Sequence, residues 1–198
     1  MGTEAPRVGV LGGTFDPIHI GHLAAASEVH AALSLDRVLV VPAAEQPFKK
    51  GTEIASGEHR LAMARLAVAG DPRLEVSDID VARGAPTYTI DTMADLEREH
   101  PGTAWFFVTG ADALARLDEW RESTRLRETV TFVGVTRPGY TVPAGLGDIP
   151  LVEVPALGVS STDVRRRVRL GLPIRYLVPD QVADYIGENH LYRGGAHG

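Results

Sequence analysis

Residues 12–23, Gly12-Gly13-Thr14-Phe15-Asp16-Pro17-Ile18-His19-Ile20-Gly21-His22-Leu23, lie between a valine-rich run, Arg7 to Leu11, and an amphipathic stretch from His22 to Leu33. A strand, a glycine turn and a helix in that order open a parallel α/β sheet. Two adjacent glycines let backbone N–H groups approach an anion closely, and the helix start that follows adds the positive end of its dipole. The stretch therefore reads as a phosphate cradle. His19 and His22, three positions apart across the helix start, should face the same side, with Gly21 leaving space between them. Two imidazoles so placed can donate hydrogen bonds to a phosphate whose charge grows in a transition state. Zinc is the poorer reading, because two histidines are too few ligands and the chain has no cysteine to complete the set. No metal-ligating residues are assigned.

Outward from this turn the pattern repeats. Strands are expected at Arg37 to Val41, Leu74 to Ile79, Trp105 to Thr109, Thr131 to Thr136 and Leu151 to Val154. Helices are expected at Glu58 to Ala69, Thr89 to Glu99 and, less regularly, Ala111 to Trp120. Ala43 to Gly57 and Pro138 to Pro150 read as loops, and Ser160 to Asn189 as two helices parted by Gly171-Leu172-Pro173. The fold class is α/β, a Rossmann-like doubly wound parallel sheet with a small C-terminal helical part. Residues 1–198 are read as a single domain, with a helical subregion from about 160 to 198. In such folds ligands bind beyond the carboxyl ends of the strands, so the residues just after each strand are the ones to inspect.

Composition narrows the class. With 44% hydrophobic and 23% charged residues the chain is ordinary for a globular protein, which excludes disorder and collagen-like or disulfide scaffolds. Absence of cysteine excludes a thiolate nucleophile and suits a reducing compartment. A formal net charge of −6 opposes a general nucleic-acid binder. The N-terminus lacks a long apolar segment of the secretory kind, and no later run reaches the ~18 apolar residues of a membrane span. A cytoplasmic protein with no membrane partner is expected; a homo-oligomer is compatible with the sequence, which does not set the oligomeric state.

Three further motifs sit at element ends. Phe107-Val108-Thr109-Gly110-Ala111-Asp112 closes a strand with a small-residue turn, and Trp120 follows. Pro86-Thr87-Tyr88-Thr89 precedes a helix. Ser160-Ser161-Thr162-Asp163-Val164-Arg165 opens another, where hydroxyls and free N–H groups suit phosphate and Arg165 offers a bidentate fork. Each has a plainer reading: Trp120 as core, Thr89 as a helix start, the serines as caps and the arginine run as a solvated face.

The string at 12–23 resembles the signature of the HxGH nucleotidyltransferase superfamily, and within it the bacterial nicotinate-nucleotide adenylyltransferases. The resemblance runs from Val8 to about Tyr192, with its motifs in order. It implies that ATP and nicotinate mononucleotide are the partners and that His19 and His22 contact the ATP phosphates, with magnesium riding on those phosphates. It also implies that Arg165, counted with His19 and His22 as catalytic, holds the triphosphate together with Ser161 and Thr162 of an SSTxxR motif. Gly12, Gly13, Thr14, Phe15 and Gly21 belong to the same ATP site. By the same resemblance Gly110 and Asp112 of a GxD motif meet the nucleotide sugars, and Trp120 stacks on the pyridine ring. Tyr88 and Thr89 then receive the nicotinate carboxylate, which a helix start favours over a neutral amide by roughly 0.3–1 kcal/mol when exposed. Arg137, in an RPGY element, is grouped with the mononucleotide residues. After the second strand relatives carry a proline-histidine-lysine or arginine step, where this chain has Pro47-Phe48-Lys49-Lys50; either lysine can serve, and Lys50 is counted with the ATP residues. His59 and Arg60 also match, in a structural role.

Rival readings are weaker. His-Ile-Gly-His also occurs in class I aminoacyl-tRNA synthetases, but this chain has no anticodon-binding region and no KMSKS-like loop. A dehydrogenase would need GxGxxG after the first strand and an acid after the second, where Pro42 stands. Adenylyltransferases for nicotinamide mononucleotide or phosphopantetheine, and a non-catalytic nucleotide-binding module, are the remaining alternatives.

Overall fold

Runs of valine, leucine and phenylalanine too short for helices and buried on both sides are what a parallel sheet covered by crossover helices requires. A computed structural model, describing residues 4–44, 55–84, 86–139, 141 and 146–193, has this architecture. Strands β1 (Arg7–Gly13), β2 (Arg37–Pro42), β3 (Leu74–Val76), β4 (Ala104–Gly110), β5 (Thr131–Thr136) and β6 (Leu151–Glu153) form one parallel sheet in the order β3-β2-β1-β4-β5-β6.

Alternate side chains on each strand go to opposite faces. On one face Val38 and Val40 of β2 and Phe106 and Val108 of β4 pack with α1 (Ile20–Ala32), α2 (Gly57–Val68), α7 (Ser161–Arg169) and α8 (Asp180–Glu188). On the other, Val8 and Val10 of β1 and Trp105 and Phe107 of β4 pack with α4 (Thr89–Glu99), α5 (Ala111–Leu114) and α6 (Ser123–Thr129). Strand order runs outward in both directions from the β1–β4 pair, where Leu11 lies opposite Val108. That reversal opens a crevice beyond the ends of these two strands, and the glycine turn and Gly110 both stand there.

Three expectations shift. The third strand stops at Val76 instead of Ile79, and Ile79 opens a short helix, α3 (Ile79–Arg83), closed by Gly84 at φ 68°. Ala111 to Trp120 is not one helix: α5 ends at Leu114, a 3-10 turn spans Leu117–Glu119, and Trp120 is extended with ψ 145°. Helix α6 was not anticipated, because Leu126 is its only buried residue and one apolar side chain makes no periodicity. Lys49, Lys50 and Tyr140 lie outside the described residues.

Candidate active site

The glycine turn is packed from within and braced from behind. A Cβ on Gly13 would fall 2.9 Å from the ring of Phe15, so the side chain of the turn fills the space the glycine gives up. Phe15 itself sits at φ 50°, which a non-glycine residue holds only where its surroundings fix it; it is 2% exposed and meets His22 edge-on at 5.0 Å. Beneath the turn lies Arg60 of α2, 1% exposed. Its guanidinium donates to the carbonyls of Thr14 (2.8 Å), Ala43 (2.6 Å), Ala44 (2.7 Å) and Ala55 (3.0 Å), tying the end of β1 to the end of β2. Ala44 N–H donates in turn to Thr87 Oγ1 (3.0 Å), which links this corner to the segment before α4.

His19 is the N-cap of α1 and His22 stands in its first turn; their rings are stacked 3.6 Å apart at 18°. A Cβ on Gly21 would approach His19 Nδ1 to 3.1 Å, so a residue with no side chain is what lets that ring lie over the helix start. The His19 backbone N–H donates to His22 Nδ1 at 3.2 Å. Accepting there places the proton of neutral His22 on Nε2, which is left as a donor. Burial, reinforced by neighbouring positive charge, lowers the His19 pKa to about 4 (the charge is that of Arg137) and the His22 pKa to about 3 (the charge is that of His19). Both rings are therefore neutral donors at physiological pH.

This has a measurable consequence for stability. The unfolded chain protonates its histidines near pH 6.5, whereas the folded chain resists until about pH 4 and about pH 3. Across that window the unfolded state binds more protons, so stability is complete above about pH 6.5 and declines as the pH falls. Thermal midpoints of the ligand-free protein should drop between about pH 7 and about pH 4, less steeply in a His19→Asn/His22→Asn double variant. Superimposable profiles would remove these histidines as the cause.

Two cavities open beyond the strand ends and meet at the turn: one of about 830 Å³ and one of about 480 Å³ are both lined by Gly12, Gly13 and Thr109. The larger, aromatic cavity also holds Tyr88, Thr89, Phe107, Trp120 and Arg121. Trp120 is half-buried, its ring set perpendicular to Phe107 (5.9 Å, 87°) and Phe132 (6.0 Å, 85°), contacts that fix its orientation on the cavity wall. The start of α4 has no side-chain cap, Tyr88 being its N-cap, and the Arg121 guanidinium lies 5.0 Å over the Tyr88 ring. Arg121 also pairs with Asp91 of the first turn of α4 at 3.6 Å, so the N–H groups of this helix start, with no side-chain cap, are what it offers an acceptor. Asp80, 2% exposed, contributes to the same wall; burial raises its pKa against the pull of Thr92, which donates to it at 2.8 Å, and of Arg83.

The smaller cavity is the histidine cleft. It brings together Phe15, His19, Gly21, His22, Gly110 and Asp112. A Cβ on Gly110 would stand 2.5 Å from Asp112 Oδ1, so only glycine leaves the carboxylate where it is. Arg137, grouped with the mononucleotide residues from the sequence, instead lines this cleft at the end of β5. It is exposed there, with no ion-pair partner among the described residues.

The SSTxxR helix braces the turn from the side. Ser160 caps α7 by accepting from Asp163 N–H (3.1 Å) and lines the cleft. Ser161 donates to the Pro17 carbonyl (2.9 Å), and Arg165 donates to the Asp16 carbonyl (2.6 Å) and reaches Thr162 Oγ1 at 3.4 Å. Ser161, Thr162, Arg165 and Thr14 flank the cleft without lining it, and Thr162 is exposed. Thr109, Thr136, Asp80 and Arg121 were not singled out from the sequence. Strand-end position could have flagged Thr109 and Thr136; Asp80 and Arg121 carry no signal in the sequence.

Comparison with known proteins accords with this geometry. The cytidylyltransferase-like family model matches residues 10–167. A probable nicotinate-nucleotide adenylyltransferase of Corynebacterium kroppenstedtii is 50% identical over 195 residues, covering 96% of this chain and 92% of its own. Another from Streptomyces coelicolor is 52% identical over 187 residues, covering 93% and 100%. The chain belongs to the nicotinate-nucleotide adenylyltransferase family. The fold is shared more widely than the sequence: a Plasmodium falciparum nicotinic acid mononucleotide adenylyltransferase complexed with NaAD is 19% identical yet superposes with a TM-score of 0.77, over 94% of this chain and 97% of its own. Among the described residues no helix is long and apolar enough to cross a membrane.

Proposed function

We propose that the protein transfers the adenylyl group of ATP to nicotinate mononucleotide, giving deamido-NAD and pyrophosphate, as a cytoplasmic enzyme of NAD biosynthesis. The observation that carries this reading is the meeting of two cavities at Gly12, Gly13 and Thr109, one aromatic and one lined by histidines. ATP belongs in the histidine cleft and the mononucleotide in the aromatic cavity, so that their phosphates meet at the glycine turn. The mononucleotide phosphate oxygen attacks the α-phosphorus of ATP in line, a new P–O bond forms, and the bond to the bridging oxygen of pyrophosphate breaks. A phosphate nucleophile is ionised at neutral pH and needs no general base, so positioning and charge stabilisation suffice. His22 Nε2–H, His19 and Arg137 are the donors for the charge that develops on the phosphates.

Among the described residues no cluster of three or more His, Asp or Glu gathers as a metal cage. Asp112 is the carboxylate of the cleft, a donor set that fits a cation brought in on the ATP phosphates. Magnesium brought in there on ATP would neutralise phosphate charge.

The aromatic cavity separates the roles of the two substrates. Trp120→Ala should raise the KM for nicotinate mononucleotide by about 10–100-fold through lost stacking, with the KM for ATP little changed. Equal changes in both would argue against a ring-stacking role. The reading as a whole is tested by pyrophosphate release from ATP and magnesium with nicotinate mononucleotide, nicotinamide mononucleotide or phosphopantetheine as acceptor. Preference for nicotinate mononucleotide is expected; preference for another acceptor would keep the chemistry and overturn the assignment of the pocket, and no release with any would overturn both.

A further inference from the structure

Asp16 lies at a junction of segments far apart in sequence. Its side chain is 2% exposed. Oδ1 accepts from the hydroxyl of Tyr192, 176 positions further along, at 2.7 Å, and from Ala55 N–H at 3.0 Å. Oδ2 is buried without a hydrogen bond and faces Arg165 Nη1 at 3.4 Å. The same Nη1 donates to the Asp16 carbonyl at 2.6 Å. Tyr192 keeps its proton, since burial and the adjacent Asp16 push its pKa far above the ordinary value, so its hydroxyl acts as a donor to the carboxylate. Buried charge of this kind persists only when paired and hydrogen-bonded.

We propose that Asp16 is a positioning residue that orients the Arg165 guanidinium for ATP, and that Tyr192 fixes the Asp16 carboxylate so that it can do so. The inference rests on the reading of the histidine cleft as the ATP site and of Arg165 as a phosphate clamp. An arginine has five N–H donors in a rigid fork. With Nη1 held by Asp16 and Nη2 beside Thr162, the guanidinium is held by its neighbours before ATP arrives, while donors remain for phosphate oxygens. Holding it in advance reduces the ordering cost of binding. The two donors on Oδ1 turn Oδ2 toward Arg165; removing one lets the carboxylate, and the arginine with it, move.

The test uses the full chain. Tyr192→Phe should raise the KM for ATP by about three- to tenfold and leave the KM for nicotinate mononucleotide unchanged. Asp16→Asn, which keeps an acceptor for Tyr192 and Ala55 but loses the charge facing Arg165, should give the same ATP-selective rise. In an Arg165→Ala background Tyr192→Phe should add nothing, because its effect passes through that arginine. An unchanged KM for ATP, an equal rise for both substrates, or an undiminished effect without Arg165 would overturn the proposal. These outcomes are separable from failure of the functional reading, in which the unsubstituted protein itself would release no pyrophosphate.

Discussion

His22→Ala should lower turnover by about 10²–10³, the usual loss on removing one preorganised donor to a developing charge, equivalent to about 2.7–4 kcal/mol of barrier. The size follows from how the ring is set. Its Nδ1 is occupied by the His19 N–H at 3.2 Å, so Nε2–H is available without a change of tautomer or rotamer. Its neighbours are the His19 ring at 3.6 Å and the Phe15 ring at 5.0 Å, which hold its plane before any substrate arrives. With its pKa lowered to about 3, it acts as a hydrogen-bond donor without being a cation in the ligand-free protein. Folding should be unaffected, as judged by the thermal midpoint at neutral pH. Near-normal turnover in the variant would remove His22 from the mechanism, and a collapse of the midpoint would turn a catalytic role into a structural one.

Arg60→Met should be the most destabilising of the substitutions considered, by about 3–5 kcal/mol, the cost of breaking a buried charged network by removing one partner. Methionine matches the bulk of the side chain but offers no donor. The carbonyls of Thr14, Ala43, Ala44 and Ala55 would lose their guanidinium partner, and the nearby Asp16 would lose a favourable charge. Burial works to lower the Arg60 pKa and the Asp16 charge works to raise it, so the two groups depend on one another. For a chain of this length each kcal/mol moves the thermal midpoint by about 2–4 °C, so a fall of roughly 6–20 °C is expected by calorimetry. A shift below about 3 °C would mean that water or a rearranged loop can replace the guanidinium.

Both residues stand near a helix start, yet they differed in how far the sequence exposed them. His19 and His22 were legible because a glycine turn and a helix start have fixed local geometry, and residues three apart on one helix face the same way. Arg60 was legible only as a match to relatives. Its partners come from the ends of β1 and β2 and from Ala55, and no spacing along the chain foretells that four carbonyls converge on one guanidinium. Arg137 shows the same limit: the sequence grouped it with the mononucleotide residues, whereas the β4–β5 pairing carries it to the histidine cleft. Ser161 and Arg165 were read as phosphate ligands; that they also hydrogen-bond to the carbonyls of Pro17 and Asp16, leaving further Arg165 donors for phosphate, is a contact between distant segments that no spacing foretells. The short helices α3 and α6 went unseen because a helix with one or two buried side chains has too little apolar face to leave a period.

By itself, the sequence determined the alternation of strands and helices, hence a parallel sheet with both faces covered, and the local chemistry of the glycine-histidine turn. These depend on residues within a few positions of one another, where backbone geometry and side-chain period are fixed by covalent connection. The tertiary structure alone decided that two cavities share the glycine turn, that Trp120 is held on a cavity wall by Phe107 and Phe132, and that Tyr192 closes on Asp16. Each of those depends on strand order and on side chains packed from distant segments, which balance burial, charge pairing and hydrogen bonding over the whole molecule.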